Sequence, residues 1–214
     1  MFTGIVEELG TVQAVVRGQN AFQFRIACKK VLEDVHIGDS IAVNGACLTV
    51  KSFTASDFIV DVMPETVKAT TIRTLQVGST VNLERAMAAN GRFGGHFVSG
   101  HVDGVGEIIH MRRVENAIYV EIKIDKNLQK YFIEKGSVTV DGTSLTVFEL
   151  TELGFVISLI PVTQSDSIIG QKQVGDLVNI ECDMLAKYME KLLNNQKPST
   201  NVTMDMLADH GFLS

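Results

Sequence analysis

Short polar side chains occupy equivalent positions in the two halves of this chain. The pairs are Thr3 with Ser99, Cys47 with Ser144, Thr49 with Thr146, and Thr66 with Thr163. Hydroxyl and thiol groups can donate and accept hydrogen bonds, so a row of them can satisfy the carbonyl and imine groups of a small molecule. If each set lies along one rim of a folded unit, the chain contains two similar ligand pockets.

Familiar catalytic and cofactor motifs are absent from the sequence. It has no Walker loop, no HExxH or GxSxG segment, and no dinucleotide fingerprint between a predicted strand and a helix. The glycine-rich stretch 91–106 lies where the two halves join. Cys28, Cys47 and Cys182 are an odd number of cysteines without CxxC spacing, which argues against a disulfide framework and a zinc site. We expect reduced thiols, with Cys28 and Cys182 serving in packing, and no bound metal.

An internal repeat divides the chain into two homologous domains. The segment NGACLTV (44–50) returns as DGTSLTV (141–147), displaced by 97 positions (141 minus 44). The same order is kept by FTGIVE and VSGHVD, by MPET and IPVT, and by VNLE and VNIE. Blocks that repeat in one order with nearly constant spacing indicate a duplication. We predict an N-terminal domain over 1–96, a C-terminal domain over 97–183 and a tail over 184–214.

Each half has the pattern of a small antiparallel barrel. Short segments rich in Val, Ile and Phe, several of them alternating apolar with polar residues, predict strands; they include Ser40–Val43, 58–62, 118–124, Ser137–Val140 and 155–160. Asn-Gly and Asp-Gly pairs mark hairpin turns. About six short strands per half favour closure into a barrel. The predicted fold is mainly β: two homologous six-stranded antiparallel Greek-key β-barrels, each with one short helix after its proline (65–74 and 162–169), and a C-terminal α-helix.

The tail has the pattern of an amphipathic helix. Apolar residues recur on one helical face between 183 and 194: Met184, Leu185, Tyr188, Met189, Leu192 and Leu193. Such a stripe packs either on the chain's own barrel or on its counterparts in other subunits. Residues 197–199 break this helix, and a second short helix is predicted with Thr203 as N-cap and Gly211 as its stop.

Composition and charge narrow the class of protein. The net charge is −6, and Lys and Arg are not clustered, which argues against a nucleic-acid partner. No apolar run approaches the roughly 20 residues that cross a membrane. The N-terminus lacks the basic start and apolar centre of a signal peptide. We expect a cytoplasmic protein that binds a small molecule or another protein.

These motifs resemble those of the riboflavin synthase family of lumazine-binding barrels. The resemblance rests on MFTGIVEELG, NGACLTV and DGTSLTV, GGHFVSGHVDGVG, and MPET and IPVT, and it covers residues 1–183. It implies that each barrel binds one 6,7-dimethyl-8-ribityllumazine, and that the two molecules exchange a four-carbon unit. The products are riboflavin and 5-amino-6-(D-ribitylamino)uracil, in the last step of riboflavin biosynthesis.

The resemblance also implies an assembly. Members of the family are typically homotrimers held by their C-terminal helices, which favours the intersubunit role of the apolar stripe. The active site forms between the N-terminal barrel of one subunit and the C-terminal barrel of another, and lumazine synthase is a candidate further partner. No cofactor is expected, because the carbanion formed at the 7-methyl group is delocalised into the substrate's own ring. The enzyme's main task is then to align two rings.

The family's ligand contacts carry over to matching motifs. In the first barrel they are Gly4, Ile5, Val6, Cys47, Leu48, Thr49, Asp61, Val62, Met63, Pro64, Glu65 and Thr66. In the second they are Gly100, His101, Val102, Ser144, Leu145, Thr146, Ser158, Leu159, Ile160, Pro161, Val162 and Thr163, with Lys135 reaching a ligand held by a neighbouring subunit. Apolar side chains would cover the ring face, and polar ones would bind the ribityl chain.

Several of these positions are candidates for proton transfer: His101, Cys47, Ser144, Thr146, Asp141 and Asp183. His101 has the intrinsic pKa best suited to neutral pH, and we expect His101 and Cys47 to be the most sensitive to mutation. An aspartate at the position of Asp141 is more often a turn residue than a catalyst, because Asn44 occupies the same place in the first half. We interpret His96 as structural.

A non-catalytic binding protein on the same fold is the alternative function. Lumazine-carrying antenna proteins resemble this sequence, but they hold one chromophore per chain, and one of their barrels can degrade. Here both halves keep the Thr or Ser before Gly, the LTV strand, and the Pro with its following Thr. Both pockets are therefore expected to be usable, which favours the enzyme.

Overall fold

Two closed β-barrels make up most of the computed structural model, which describes residues 1–18, 22–194 and 204–212. The first barrel contains β1 (Glu8–Arg17), β2 (Phe22–Ala27), β3 (Ser40–Val43), β4 (Ala46–Phe53), β5 (Asp57–Val62) and β6 (Thr80–Arg85). The second contains β7 (Gly104–Val114), β8 (Ala117–Lys123), β9 (Ser137–Val140), β10 (Thr143–Leu150), β11 (Gly154–Leu159) and β12 (Leu177–Cys182). The helices are α1 (Pro64–Ala69), α2 (Lys126–Gln129), α3 (Pro161–Asp166), α4 (Met184–Asn194) and α5 (Met204–Asp209).

Both barrels have the same antiparallel topology. The closed order of the first is β1-β2-β5-β4-β3-β6, and equivalent strands of the second follow the same cyclic order. Side chains alternate between core and surface along each strand. In β5, for example, Phe58, Val60 and Val62 are fully buried, whereas Asp61 is exposed. The prediction of two six-stranded antiparallel barrels is confirmed.

The hairpins β3–β4 and β9–β10 turn where the sequence pattern predicts. Asn44 and Gly45 have φ values of 47° and 80°, and Asp141 and Gly142 have 45° and 81°. Positive φ at both central residues is the conformation that Asn-Gly and Asp-Gly pairs favour in two-residue hairpins. The two turns also meet each other, because a side chain on Gly45 would come within 2.7 Å of the Gly142 nitrogen.

Buried amides join the two barrels around these turns. Asn82 Nδ2 donates to the Asp141 carbonyl at 2.8 Å, and Asn179 Nδ2 donates to the Asn44 carbonyl at 2.8 Å. Asn82 and Asn179 occupy equivalent positions of β6 and β12, so each bond has its counterpart in the other half. The halves therefore pack like the two subunits of a symmetric dimer.

The helix that follows each fifth strand is shorter than predicted. The chain forms α1 and α3 and then continues into separate 3₁₀ turns, Thr71–Thr74 and Ile168–Gln171. Thr70 and Ser167 stand between them in extended conformation, and their hydroxyls accept the N–H groups of Ile72 and Ile169. A capping hydroxyl starts a new turn, so the predicted single helix is divided in two.

The C-terminal helix α4 lies on the second barrel through its polar side. Lys187 pairs with Asp103 at 2.8 Å, and Glu190 accepts a hydrogen bond from Tyr131. The apolar stripe faces outward, with Leu185, Tyr188, Met189, Leu192 and Leu193 between 58% and 65% exposed. The predicted break at 197–199 and the predicted cap Thr203 lie outside the described residues. Within the described part of the chain, no helix is long and apolar enough to cross a membrane.

Candidate active site

Two segments cross from one barrel to the other. The first strap is residues 2–6 and the second strap is residues 98–102. The Gly4 carbonyl accepts the Ser144 N–H of the second barrel at 2.7 Å, and the Gly100 carbonyl accepts the Cys47 N–H of the first at 2.8 Å. The prediction grouped each strap with the barrel that follows it in sequence. Each strap also bonds to the barrel of its own half, through Glu84 or Glu181, so the straps bridge the two barrels, which the repeat pattern alone does not indicate.

The first surface is the outward face of β4 and β5, bordered by the second strap. Cys47, Thr49 and Lys51 alternate outward along β4 and face Asp61 on β5. Lys51 Nζ lies 2.7 Å from Asp61 Oδ2, and Gln23 Nε2 donates to Asp61 Oδ1 at 2.9 Å. Hydrogen bonds from Lys51 and Gln23 lower the pKa of Asp61. The ionised carboxylate offers acceptor sites suited to the hydroxyls of a polyol chain.

The second surface is the outward face of β10 and β11, bordered by the first strap. Thr146 is exposed like its counterpart Thr49, whereas Ser158 is half-buried and its counterpart Asp61 is exposed. Phe148 replaces Lys51, however, and forms an edge contact with Tyr119 at 5.1 Å between ring centroids. Lys135 Nζ lies 4.5 Å from the centre of the Phe148 ring. The two surfaces therefore share their hydroxyls but differ in charge and aromatic content.

Three predicted contacts are buried within the barrel cores. Leu48, Val62 and Leu159 are 5%, 0% and 0% exposed. Strand alternation makes this unavoidable, because each lies next to a residue that faces outward. Only the backbone groups of these three residues are available to a ligand.

The remaining predicted contacts frame the two surfaces. Met63, Pro64, Glu65 and Thr66 lie at the start of α1, and Ile160, Pro161, Val162 and Thr163 at the start of α3. Ile5 and Val6 lie on the first strap and His101 on the second, whereas Val102 and Leu145 pack partly buried against the cores of the first and second barrels. Met63, Ile160 and Val162 are 57–64% exposed, so large apolar side chains are free to cover a flat ring on both surfaces.

His96, which the sequence analysis interprets as structural, lies beside Ser144 of the second surface. Its Nδ1 lies 2.7 Å from Ser144 Oγ, and its Nε2 lies 3.2 Å from Thr139 Oγ1. Burial lowers the pKa of His96, and the Asp183 carboxylate opposes that effect only in part. A neutral imidazole can accept the Ser144 proton at Nδ1 while donating from Nε2 to Thr139. The first repeated block pairs Phe2 with Val98, so His96 lies outside the blocks and the repeat gave no signal for it.

The other proton-transfer candidates lie in different environments. His101 is exposed on the second strap, and its N–H donates to Ser99 Oγ at 3.2 Å. Asp183 caps α4, because its Oδ1 accepts the Leu185 N–H at 2.9 Å. Asp141 is 0% exposed between the barrels, where its Oδ1 accepts the Asn179 N–H at 2.8 Å. A substrate cannot reach Asp141, so we withdraw it from the catalytic candidates and assign it to the interface.

The fold and its two equivalent surfaces define a duplicated ligand-binding β-barrel protein. The family model of the lumazine binding domain matches the chain twice, over residues 3–86 and 99–183. Riboflavin synthase of Bacillus subtilis (strain 168) is 56% identical over 215 residues, covering 99% of this chain and 100% of the relative. Riboflavin synthase of Saccharomyces cerevisiae is 41% identical over 223 residues, covering 97% and 94%. The chain therefore belongs to the lumazine-binding family and, within it, to the riboflavin synthases.

Solved structures of LumP share the fold. LumP complexed with 6,7-dimethyl-8-(1′-D-ribityl) lumazine superposes with a TM-score of 0.77 at 27% identity, covering 85% of this chain and 99% of LumP. LumP complexed with riboflavin superposes with a TM-score of 0.79 at the same identity and coverage. The fold thus occurs in proteins that bind a lumazine and a flavin.

Proposed function

We propose that this chain is an enzyme that converts two molecules of 6,7-dimethyl-8-ribityllumazine into riboflavin and 5-amino-6-(D-ribitylamino)uracil. One observation carries the proposal: the chain presents two equivalent polar surfaces, each completed by a strap from the other half. A reaction that consumes two copies of one substrate needs two such surfaces. The names of the full-length relatives point to the same activity.

The chemistry requires alignment and proton transfer. One substrate loses a proton from its 7-methyl group, and its ring delocalises the resulting charge. Ser144, hydrogen-bonded to His96 at 2.7 Å, is the group we assign to move this proton on the second surface. Cys47 and His101 are the candidates on the first surface. Holding the two rings face to face contributes several kcal/mol of barrier lowering.

The proposed binding residues are those that frame the two surfaces. Asp61, held by Lys51 and Gln23, would bind ribityl hydroxyls on the first surface. Ser158 and Thr163 would do so on the second. Lys135 is the residue proposed to reach a ligand held by a neighbouring subunit.

The proposed working form is a cytoplasmic homotrimer joined by the α4 helices. The apolar stripe of α4 is exposed in the single chain and needs a cover. Each active site would combine the first surface of one subunit with the second surface of another. The proposed domains are residues 1–96, 97–183 and 184–214. Lumazine synthase is the proposed further partner.

Turnover of the substrate tests the function. The purified protein, without added cofactor, is incubated with 6,7-dimethyl-8-ribityllumazine, and riboflavin is followed by its absorbance and fluorescence. We expect riboflavin to accumulate, more slowly with His101→Ala and at the wild-type rate with His110→Ala, which changes an exposed histidine on β7. A shifted lumazine spectrum without riboflavin would instead identify a non-catalytic binding protein. This is the alternative function, and LumP, which has the same fold, is known in complex with a lumazine.

A further inference from the structure

A buried carboxylate holds the first strap. Glu84, on β6, is 6% exposed. Its Oε1 accepts the Thr3 N–H at 2.7 Å and the Thr3 hydroxyl at 2.9 Å, and its Oε2 accepts the Gly4 N–H at 3.0 Å. Gly4 has a φ of 77°, so the chain turns sharply at this point. Glu84 thus fixes the turn that begins the strap.

The second strap is held in the same way. Glu181, on β12, is 2% exposed. Its Oε1 accepts the Ser99 N–H at 2.7 Å and the Ser99 hydroxyl at 2.6 Å, and its Oε2 accepts the Gly100 N–H at 3.0 Å. The duplicated chain has therefore kept one carboxylate clamp in each half.

Each clamp ends on the surface of the other barrel. The residue that Glu84 holds, Gly4, bonds directly to Ser144 of the second surface. A side chain on Gly4 would come within 2.7 Å of Ser144 Cβ, so the strap lies in contact with that position. Gly100 stands in the same relation to Cys47, where a side chain would come within 2.6 Å of Cys47 Cβ.

We propose that Glu84 and Glu181 are positioning residues that act across the barrels. Glu84, in the first barrel, sets the geometry of the second surface around Ser144, and Glu181, in the second barrel, sets the geometry of the first surface around Cys47. Neither glutamate touches the substrate; each acts through the strap it holds. The effect of the two glutamates on turnover rests on the proposed function. The crossed arrangement, in which each glutamate shapes the surface of the other barrel, does not.

A carboxylate is suited to this task because it only accepts hydrogen bonds. The two oxygens of Glu84 receive the three donors of Thr3 and Gly4, and the Ile5 N–H also contributes. Glutamine has nearly the same shape, but its NH₂ group would face a backbone N–H of the strap. The substitution Glu→Gln therefore loosens a strap without creating a large cavity.

Hydrogen exchange in the full-length protein tests the crossed arrangement. Glu84→Gln and Glu181→Gln are compared with wild type and with Glu107→Gln, an exposed control on β7, by deuterium uptake of peptides from both straps, β4 and β10. We expect Glu84→Gln to raise uptake in the first strap and the start of β10, leaving β4 unchanged. Glu181→Gln should raise uptake in the second strap and the start of β4, leaving β10 unchanged.

Steady-state kinetics separates positioning from simple loss of stability. We expect kcat to fall about tenfold to a hundredfold in both glutamine variants, because small misplacements of aligned groups have effects of this size. The melting temperature of the glutamine variants should change little, so the loss of kcat is not explained by unfolding. Deuterium uptake that rises only in the barrel that carries the substitution, or equally in both barrels, would overturn the proposal. A glutamine variant with the same kcat as an active wild-type protein would also overturn it.

Milder variants cover the case in which a glutamine variant does not fold. Thr3→Val and Ser99→Ala each remove one hydroxyl donor and leave the carboxylate and its backbone bonds in place. The same crossed pattern of uptake, at smaller amplitude, is expected for them, and its absence would count against the proposal. If the pattern is crossed but the wild type makes no riboflavin, the proposed function fails and the crossed arrangement stands.

Discussion

At the scale of single residues, the site combines a buried imidazole with a hydroxyl that borders open surface. His96 is 9% exposed, and burial lowers its pKa below the ordinary 6.5. At neutral pH the imidazole is therefore uncharged and able to accept the Ser144 proton. As pH falls through the lowered pKa, protonation removes that acceptor, so activity should decline on the acid side.

This argument predicts the behaviour of His96→Gln. We expect kcat/KM to fall about 10²- to 10⁴-fold, the usual contribution of a positioned acid or base, and the residual activity to lose its acid limb. A pH–rate profile between pH 5 and 8, measured beside His110→Gln as the exposed control, provides the test. Wild-type kcat in His96→Gln would refute the assignment.

Residue-level chemistry was only partly predictable from the sequence. Repetition drew attention to Cys47 and Ser144, and the structure places both beside a strap. The repeat could not point to His96, because His96 lies outside the repeated blocks, and an isolated histidine is most simply interpreted as a structural residue. Asp141 failed for the opposite reason: it is repeated as Asn44, but the repeated function is a turn whose backbone carbonyl accepts a hydrogen bond from the other barrel.

At the scale of elements, periodicity predicted strands and turns well and contacts between elements poorly. Alternation along β5 and β11 follows directly from one buried face, so it is visible in the sequence. The contact of each strap with the other barrel is not visible, because both straps have the same sequence pattern and the barrels offer them the equivalent residues Cys47 and Ser144. The clamps Glu84 and Glu181 belong to repeated VNLE and VNIE blocks that predict strands but give no sign of what their carboxylates hold.

The interface between the barrels carries a charge in one half only. Lys172 Nζ lies 3.3 Å from Asp141 Oδ2, whereas the equivalent positions of the first barrel hold Leu75 and Asn44. Burial raises the pKa of Asp141 above the ordinary 3.8, although Lys172 opposes this. Folding therefore favours the protonated carboxyl. That contribution to stability is present below pH 3.8 and is lost as pH rises through the raised pKa.

Replacing Asp141 and Lys172 by the residues at the equivalent positions of the first barrel, Asn and Leu, tests how Lys172 compensates the buried carboxyl. Lys172→Leu alone should cost about 3–5 kcal/mol of unfolding free energy at pH 7, because it leaves a buried carboxylate uncompensated. The double variant Asp141→Asn/Lys172→Leu should lie within about 1 kcal/mol of wild type, since Asn44 already makes the equivalent bond to a backbone N–H at 2.8 Å. Urea unfolding at pH 7 and pH 4 measures both. Equal losses in the single and double variants would contradict the compensation.

At the scale of the whole molecule, one chain presents both surfaces but leaves each open to solvent. The straps border each surface, but the apolar side chains of Met63, Ile160 and Val162 on these surfaces stay exposed. Two substrates that react face to face need a cover on both sides. In the proposed trimer a second copy of the chain supplies the complementary surface, so we expect catalysis and assembly to be lost together.

The apolar stripe of α4 is where assembly can be broken without touching a barrel. Leu185 and Leu192 are 58% and 62% exposed, and the helix borders a groove of about 600 Å³ on the second barrel. Burying one leucine contributes about 1.5–3 kcal/mol, so Leu185→Glu/Leu192→Glu should weaken association at least about a hundredfold. Sedimentation velocity should show trimers becoming monomers, with turnover per chain falling in parallel, while Lys191→Gln on the same helix remains trimeric and active. Monomers that keep full turnover would show that one chain contains a complete site.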